Sequence, residues 1–176
     1  AHEEGLLSAF AELDALYIAD GHHRAAAAAR VGEGAGDDDP RAHFLAVAFP
    51  HDQLYLMPYN RVVKHLNGHS PEGLRAALSE RFELSALTPE ELSAEGLPHA
   101  HPTHRHEWLM CLEGAWWRLT PNAALTQELS ARDVKAQLAV SVLQDEVLSP
   151  LLGVDDPRTC EHIDFVGGIR GLSALA

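Results

Sequence analysis

The sequence predicts a mixed α/β domain of the α+β kind, with a largely antiparallel or mixed sheet and helices mainly on one face. Three observations carry this. Apolar runs of strand length recur at 16–18, 43–49, 53–57 and 163–166, set off by turn residues. Stretches of helix length lie among them, one of them dominated by alanine, the best helix former. A Glu113-Gly114 turn joins Trp108–Leu112 to Trp116–Leu119 as a hairpin. The 176 residues, 46% of them hydrophobic, suffice for one domain with a real core.

The elements follow in order. Leu6, Leu7, Phe10 and Leu13 fall at helical spacing across 3–13. Leu16-Tyr17-Ile18 suits a short buried strand, broken at Asp20-Gly21. His22-His23-Arg24, five alanines and Arg30 follow, so the expected order is strand, tight glycine turn, helix. Residues 32–40 form a glycine-rich acidic loop, best taken as a solvated connector and alternatively as a lid. The almost continuous apolar run His43–Phe49 predicts a central strand, and Gln53–Met57 alternates as a half-buried one after a Pro50-His51-Asp52 turn. Ser70 as N-cap and Pro71 at the first helical position open a helix to about Arg81. Val140–Leu152 predicts a helix with Leu143, Val147 and Leu151 inward, ended by Gly153. Ile163–Val166 is the last strand, broken by Gly167-Gly168, and no internal repeat is present.

Composition excludes several function classes. A net charge of −13, with no cluster of Lys and Arg, argues against nucleic acid as a partner, even with twelve His residues to offset it near pH 6. Two cysteines, Cys111 and Cys160, make neither a disulfide framework nor a CxxC motif. No run approaches the roughly 20 apolar residues that span a bilayer, and no signal-peptide pattern is seen, so the expectation is a cytoplasmic protein without a membrane partner. The sequence is expected to be a single domain over 1–176, a central fragment of a longer protein; oligomeric state is open.

Asp20-Gly21-His22-His23-Arg24 is the leading constellation. A glycine turn at a helix start gathers unpaired N–H groups at the positive end of the helix dipole, a place that binds anions. Arg24 adds a planar fork for phosphate oxygens. Asp20 suits Mg²⁺ or the proton of a hydroxyl, and His22 or His23 suits contact with a transferring phosphoryl group. The plainer alternative is a capped helix start with exposed histidines. Asn60-Arg61, with Lys64 beyond, is a second anion clamp or a surface arginine paired with a carboxylate. Asp164–Arg170, with Gly167, Gly168 and Gly171, allows close backbone approach to a ligand or a plain turn. His99, His101, His104 and His106 have loose metal-ligand spacing without a Cys or carboxylate to close a site. Trp116-Trp117 and Trp108 are expected as core and edge cover, and Cys111 as an inert mid-strand thiol.

Four segments carry a resemblance. Tyr17-Ile18-Ala19-Asp20-Gly21-His22-His23-Arg24, Pro58-Tyr59-Asn60-Arg61-Val62-Val63, Leu152-Gly153-Val154-Asp155-Asp156-Pro157-Arg158-Thr159 and Ile163-Asp164-Phe165-Val166-Gly167-Gly168 resemble, in order, the bacterial domain-of-unknown-function family 1015. The resemblance covers essentially the whole chain, and members of that family run longer at both ends. The family's Asp-Gly-His-His-Arg segment is similar in turn to the nucleotide-handling loop of the ParB and sulfiredoxin superfamily, which includes free-serine kinases. Family members also tend to sit beside serine-biosynthesis genes.

The resemblance implies a ParB/sulfiredoxin-like element around this loop and ATP or ADP with Mg²⁺. Gly21, Arg24, Asn60, Arg61, Gly167, Gly168 and Arg170 would hold the nucleotide, Asp20 the metal or the substrate hydroxyl, and Asp20, His22 and His23 would act in catalysis. The implied function is a nucleotide-dependent phosphotransferase on a small hydroxyl metabolite, L-serine above all. The alternatives are a nucleotide- or anion-binding module without turnover, linked to serine metabolism, and a purely structural module. Two departures are visible. The kinases place a catalytic carboxylate well upstream of the loop, whereas nineteen residues precede Asp20, and Ala139 stands where the family usually carries an acidic residue.

Overall fold

The computed structural model describes residues 2–55, 59–93, 98 and 102–167. The chain divides into two compact units, 1–55 and 56–176. No helix among the described residues is long and apolar enough to cross a membrane.

The first unit is helical. Helix α1 spans His2–Ala11 and helix α2 His22–Val31. Single 3₁₀ turns follow at Pro40–Ala42 and His51–Gln53. The α2 helix ends at Gly32, where a Cβ would meet the Arg41 carbonyl at 2.8 Å, so only glycine lets the Pro40–Ala42 turn fold back here. Asp39 fixes that turn by accepting from the Arg41 backbone N–H at 2.9 Å and chelating its guanidinium. The acidic connector is therefore a series of short hydrogen-bonded turns.

Two sequence expectations fail in this unit. Leu16-Tyr17-Ile18 is irregular and exposed, Tyr17 at 92%, so no strand precedes the glycine turn. His43–Phe49 is likewise no strand, with Leu45 exposed at 93%. A strand needs a ladder partner and a covering layer, and neither segment forms a ladder with any described residue. Gln53 closes a 3₁₀ turn, Leu54 and Tyr55 are irregular, and residues 56–58, the rest of the expected Gln53–Met57 strand, lie outside the described residues.

The second unit holds the core and all described strands, every pair of them antiparallel. Strands β1 (Tyr59–Val63) and β5 (Ile163–Gly167) form one pair, with Arg61 opposite Phe165. Strands β2 (Phe82–Ala86), β3 (Trp108–Leu112) and β4 (Ala115–Pro121) form a sheet in the order β2-β4-β3. The β3–β4 hairpin is as expected, because Glu113 and Gly114 both adopt positive φ, 51° and 76°, which two-residue hairpin turns require. Helix α3 (Pro71–Ser79) is capped by the Ser70 hydroxyl, which accepts from the Gly73 N–H at 3.0 Å. Helix α4 (Ala123–Ala131) is capped by Asn122.

Leu74, Leu78, Phe82, Leu119, Leu125 and Leu129 form the centre of the core, with Trp108 edge-on to Phe82 at 5.8 Å. Trp116 is buried and Trp117 lies half-buried under Arg75, opposite in facing as adjacent strand residues must be.

The expected helix 140–152 is real but interrupted. Helix α5 spans Ala139–Leu143 and passes into a π-helical turn, Gln144–Leu148, marked by the Ser149 N–H to Gln144 carbonyl bond at 3.0 Å. The wider turn rotates the inward face. Val147 is buried as expected, but Val142, Leu148 and Leu152 carry the packing and Leu143 and Leu151 are only half-buried. Gly153, at φ 65°, ends the segment.

Candidate functional site

The Asp20–Arg24 loop lies wholly in the first unit. Gly21 is the N-cap of α2 and takes φ 83°, ψ 29°, a left-handed conformation that an L side chain adopts only at a cost. The Gly21 carbonyl accepts the first helical bond, from Ala25 N–H at 2.9 Å. No side chain caps the helix, so the first-turn N–H groups are left to solvent or a ligand. The Asp20 carboxylate turns instead to the Gly21 N–H at 2.7 Å. Arg24 folds back over the glycine, its Nη2 3.5 Å from Asp20 Oδ2. A Cβ on Gly21 would come within 3.1 Å of Arg24 Nε. The loop thus gathers Asp20, Gly21 and Arg24 around one bare helix terminus, with His22 and His23 exposed on its first turn.

The pair is open, with Arg24 and Asp20 side chains 83% and 94% exposed. A contact of this kind contributes under about 1 kcal/mol, so a phosphate could draw Arg24 away at little cost. Were phosphate to bind there, the single carboxylate of Asp20 could serve Mg²⁺, which takes one or two protein oxygens and completes its shell with phosphate and water.

The remaining predicted residues belong to the second unit. Asn60 and Arg61 are neighbours on β1 and therefore face opposite sides of the ladder. Lys64 does not join Arg61, since it pairs with Asp164 at 3.1 Å and donates to the Glu161 carbonyl. Arg61 Nη1 donates to the Tyr59 carbonyl at 2.5 Å, and its guanidinium lies 5.9 and 5.7 Å from the Tyr59 and Phe165 ring centres. Burial pushes the Arg61 guanidinium below its usual range, with the Tyr59 hydroxyl opposing the shift; arginine remains charged at neutral pH all the same. Among the described residues it pairs with no carboxylate, unlike an ordinary surface arginine. Gly167 sits opposite Tyr59, and a Cβ there would come within 3.0 Å of the Tyr59 ring. The close approach this glycine permits is therefore filled by a side chain of the protein. Gly168 and Arg170 lie outside the described residues.

Arg61 also lines something the sequence did not announce, a cavity of about 650 Å³ in the second unit. Lys135 and Arg158 line it too, together with Asp133, Asp145 and Asp155. These residues come from β1, the stretch after α4, the π turn and the 155–158 loop. Only their charged type was visible in sequence, not their convergence.

In the histidine loop, His106 Nε2 is engaged with the Gln137 carbonyl at 2.7 Å and the ring stacks on Trp108. His99 and His101 lie outside the described residues. Among the described residues, no group of three or more His, Cys, Asp or Glu side chains is arranged to hold a metal. Helix α5 begins at Ala139, with Leu138 at the N-cap position and no side-chain cap.

A family model described as a protein of unknown function, DUF1015, matches residues 1–145. No curated protein and no solved structure matches the chain.

Proposed function

The chain belongs to the DUF1015 family of proteins of unknown function, and from that premise we propose that its Asp20–Arg24 loop binds the phosphates of ATP or ADP in a phosphotransferase for a small hydroxyl metabolite, L-serine in the first instance. The observation that carries this is Gly21, whose left-handed turn leaves the α2 N-terminus without a side-chain cap and with Arg24 beside it. The helix N–H groups and the guanidinium supply donors for phosphate oxygens. Asp20 would hold Mg²⁺ or take the proton of the acceptor hydroxyl, while His22 or His23 would meet the transferring group. Bound Mg²⁺ supplies charge neutralisation on the phosphates. The resemblance of the loop to the ParB and sulfiredoxin superfamily supports the choice of nucleotide.

A second reading is a nucleotide- or anion-binding module without turnover. The openness of Asp20, 94% exposed, favours it, because proton transfer and metal-assisted chemistry gain most in enclosed sites. Incubation of the protein with nucleotide, Mg²⁺ and L-serine, with mass-spectrometric detection of phosphoserine, separates the two. Product that vanishes in Asp20→Asn while nucleotide still binds supports the enzyme; binding without product supports the module. Arg24→Ala should weaken nucleotide binding by roughly 1.5–3 kcal/mol, the value of a lost charge-assisted bond. Equal affinity in wild type and Arg24→Ala sinks both.

A further inference from the structure

The cavity of the second unit carries an arrangement of charge that the phosphate loop does not use. Most of its lining charges are already satisfied. Asp133 accepts the N–H groups of Lys135 and Ala136 at 2.9 and 3.0 Å. Asp155 accepts the Ser149 hydroxyl at 2.6 Å. Asp156 and Arg158 hold each other through two bonds of 2.9 Å. Of the seven lining charges only Asp156 and Arg158 form an ion pair, and Asp133 and Asp155 are held by hydrogen bonds alone; the guanidinium of Arg61, the ammonium of Lys135 and the carboxylate of Asp145 have no ionic partner among the described residues and, apart from the bond of Arg61 to the Tyr59 carbonyl, no hydrogen bond either.

Arg61 is the telling member. One of its nitrogens is spent on the Tyr59 carbonyl. Its Nε and Nη2 remain, and the Tyr59 and Phe165 rings flank the guanidinium. A half-buried guanidinium set among rings is costly to leave without an anion, and its fork matches a carboxylate. Asp145 enters the same cavity from the π turn, a deformation of helices that recurs at functional sites. The turn is tied down from the other side, since Gln144 Nε2 donates to the Val154 carbonyl at 2.7 Å.

We propose that this cavity binds a small zwitterion of up to dipeptide size, its carboxylate on Arg61 and Lys135 and its ammonium on Asp145. The volume of about 650 Å³ lies in the range of small-ligand sites. A phosphate monoester fits less well, because the lining carboxylates Asp133, Asp145, Asp155 and Asp156 outnumber the cations Arg61, Lys135 and Arg158. A neutral apolar ligand would leave Arg61 and Asp145 desolvated and unpaired. Every group involved lies in the second unit, so the proposal is independent of the phosphate loop and survives failure of the Arg24→Ala test.

The test is calorimetric titration of the 176-residue chain with glycylglycine, N-acetylglycylglycine, glycylglycinamide and inorganic phosphate. Glycylglycine should bind about tenfold more tightly than either capped derivative, the fold-change of one charge-assisted bond. Arg61→Gln should abolish the preference over glycylglycinamide, and Asp145→Asn the preference over the N-acetyl compound. Glu72→Gln, on α3 and outside the cavity lining, should preserve both. Retention of the folded circular-dichroism spectrum shows that each variant is intact. Failure of glycylglycine to bind at millimolar concentration, equal binding of all three peptides, or tighter Arg61-dependent binding of phosphate overturns the proposal.

Discussion

Gly21 holds φ at 83° and has Arg24 Nε within 3.1 Å of where a Cβ would stand. Gly34 has a similar φ, 74°, with open space around it. Gly21→Ala and Gly34→Ala should therefore carry a comparable backbone penalty, of about 1–2 kcal/mol, while only the first displaces Arg24. The expected outcome is weaker nucleotide binding in Gly21→Ala alone, read by titration beside amide exchange of α2. Equal loss of binding in both variants would mean that the loop acts through the stability of its unit rather than through local geometry. The residue scale is also where the sequence was most legible. A glycine between an acidic residue and an alanine-rich helix announces a tight turn at a helix start, whereas the left-handed φ of Gly21 and the fold of Arg24 over it are seen only in the structure. Arg61 was legible as an anion-binding candidate but not as a cavity residue, because Lys135 and Asp145, which line the same cavity, come from far along the chain. Asn60 and Lys64 were grouped with it by adjacency, which a strand undoes by alternating faces.

Among the elements, α4 depends on one side chain that serves two segments. Asn122 Oδ1 accepts the Leu125 N–H at 2.9 Å, and its Nδ2 donates to the Glu80 carbonyl at 3.0 Å. The first bond starts the helix that buries Leu125 and Leu129; the second ties it to the end of α3. Asn122→Ala should cost about 1–2 kcal/mol, combining a lost cap with a lost tertiary hydrogen bond, and Asn122→Ser should recover about half by restoring only the cap. Urea unfolding checks this; identical midpoints for Ala and Ser would show that the cap contributes nothing. Elements whose signals are local were readable from sequence: the Ser70-Pro71 start of α3, the Glu113-Gly114 hairpin, the alanine-rich α2. Of the elements that depend on distant pairing, Ile163–Val166 was readable as a strand and two others were not. Tyr59–Val63 becomes a strand because Ile163–Gly167 lies against it, and Phe82–Ala86 because Trp117–Pro121 does. Conversely, 16–18 and 43–49 have strand-like composition and no ladder among the described residues. The π turn, too, shifts the buried face of 139–152 without leaving a compositional trace.

At the scale of the whole molecule, ion pairs clamp the second unit around its core while a net charge of −13 works against compactness. Arg81, just past α3, reaches Glu128 on α4 through two bonds of 2.9 and 2.6 Å and Glu146 on the π turn at 3.0 Å. Arg132 closes the set on Glu146 at 2.5 Å. Side-chain hydrogen bonds from Arg81 hold the Glu128 carboxyl below its ordinary value of 4.5, against a smaller opposing effect of burial. A carboxyl whose folded value is depressed contributes its stability in full above the unfolded value and loses it as pH falls through the folded one. The melting temperature should therefore show no loss from this pair between neutral pH and about pH 5, and a loss once pH passes below about 4.5. Glu128→Gln keeps the shape of the side chain and removes its ionisation. It should melt below wild type at pH 7, and the gap should close as pH falls towards 3. Circular-dichroism melts of both proteins across this range decide the matter, and a gap that stays constant at every pH would mean that the pair acts through packing rather than charge.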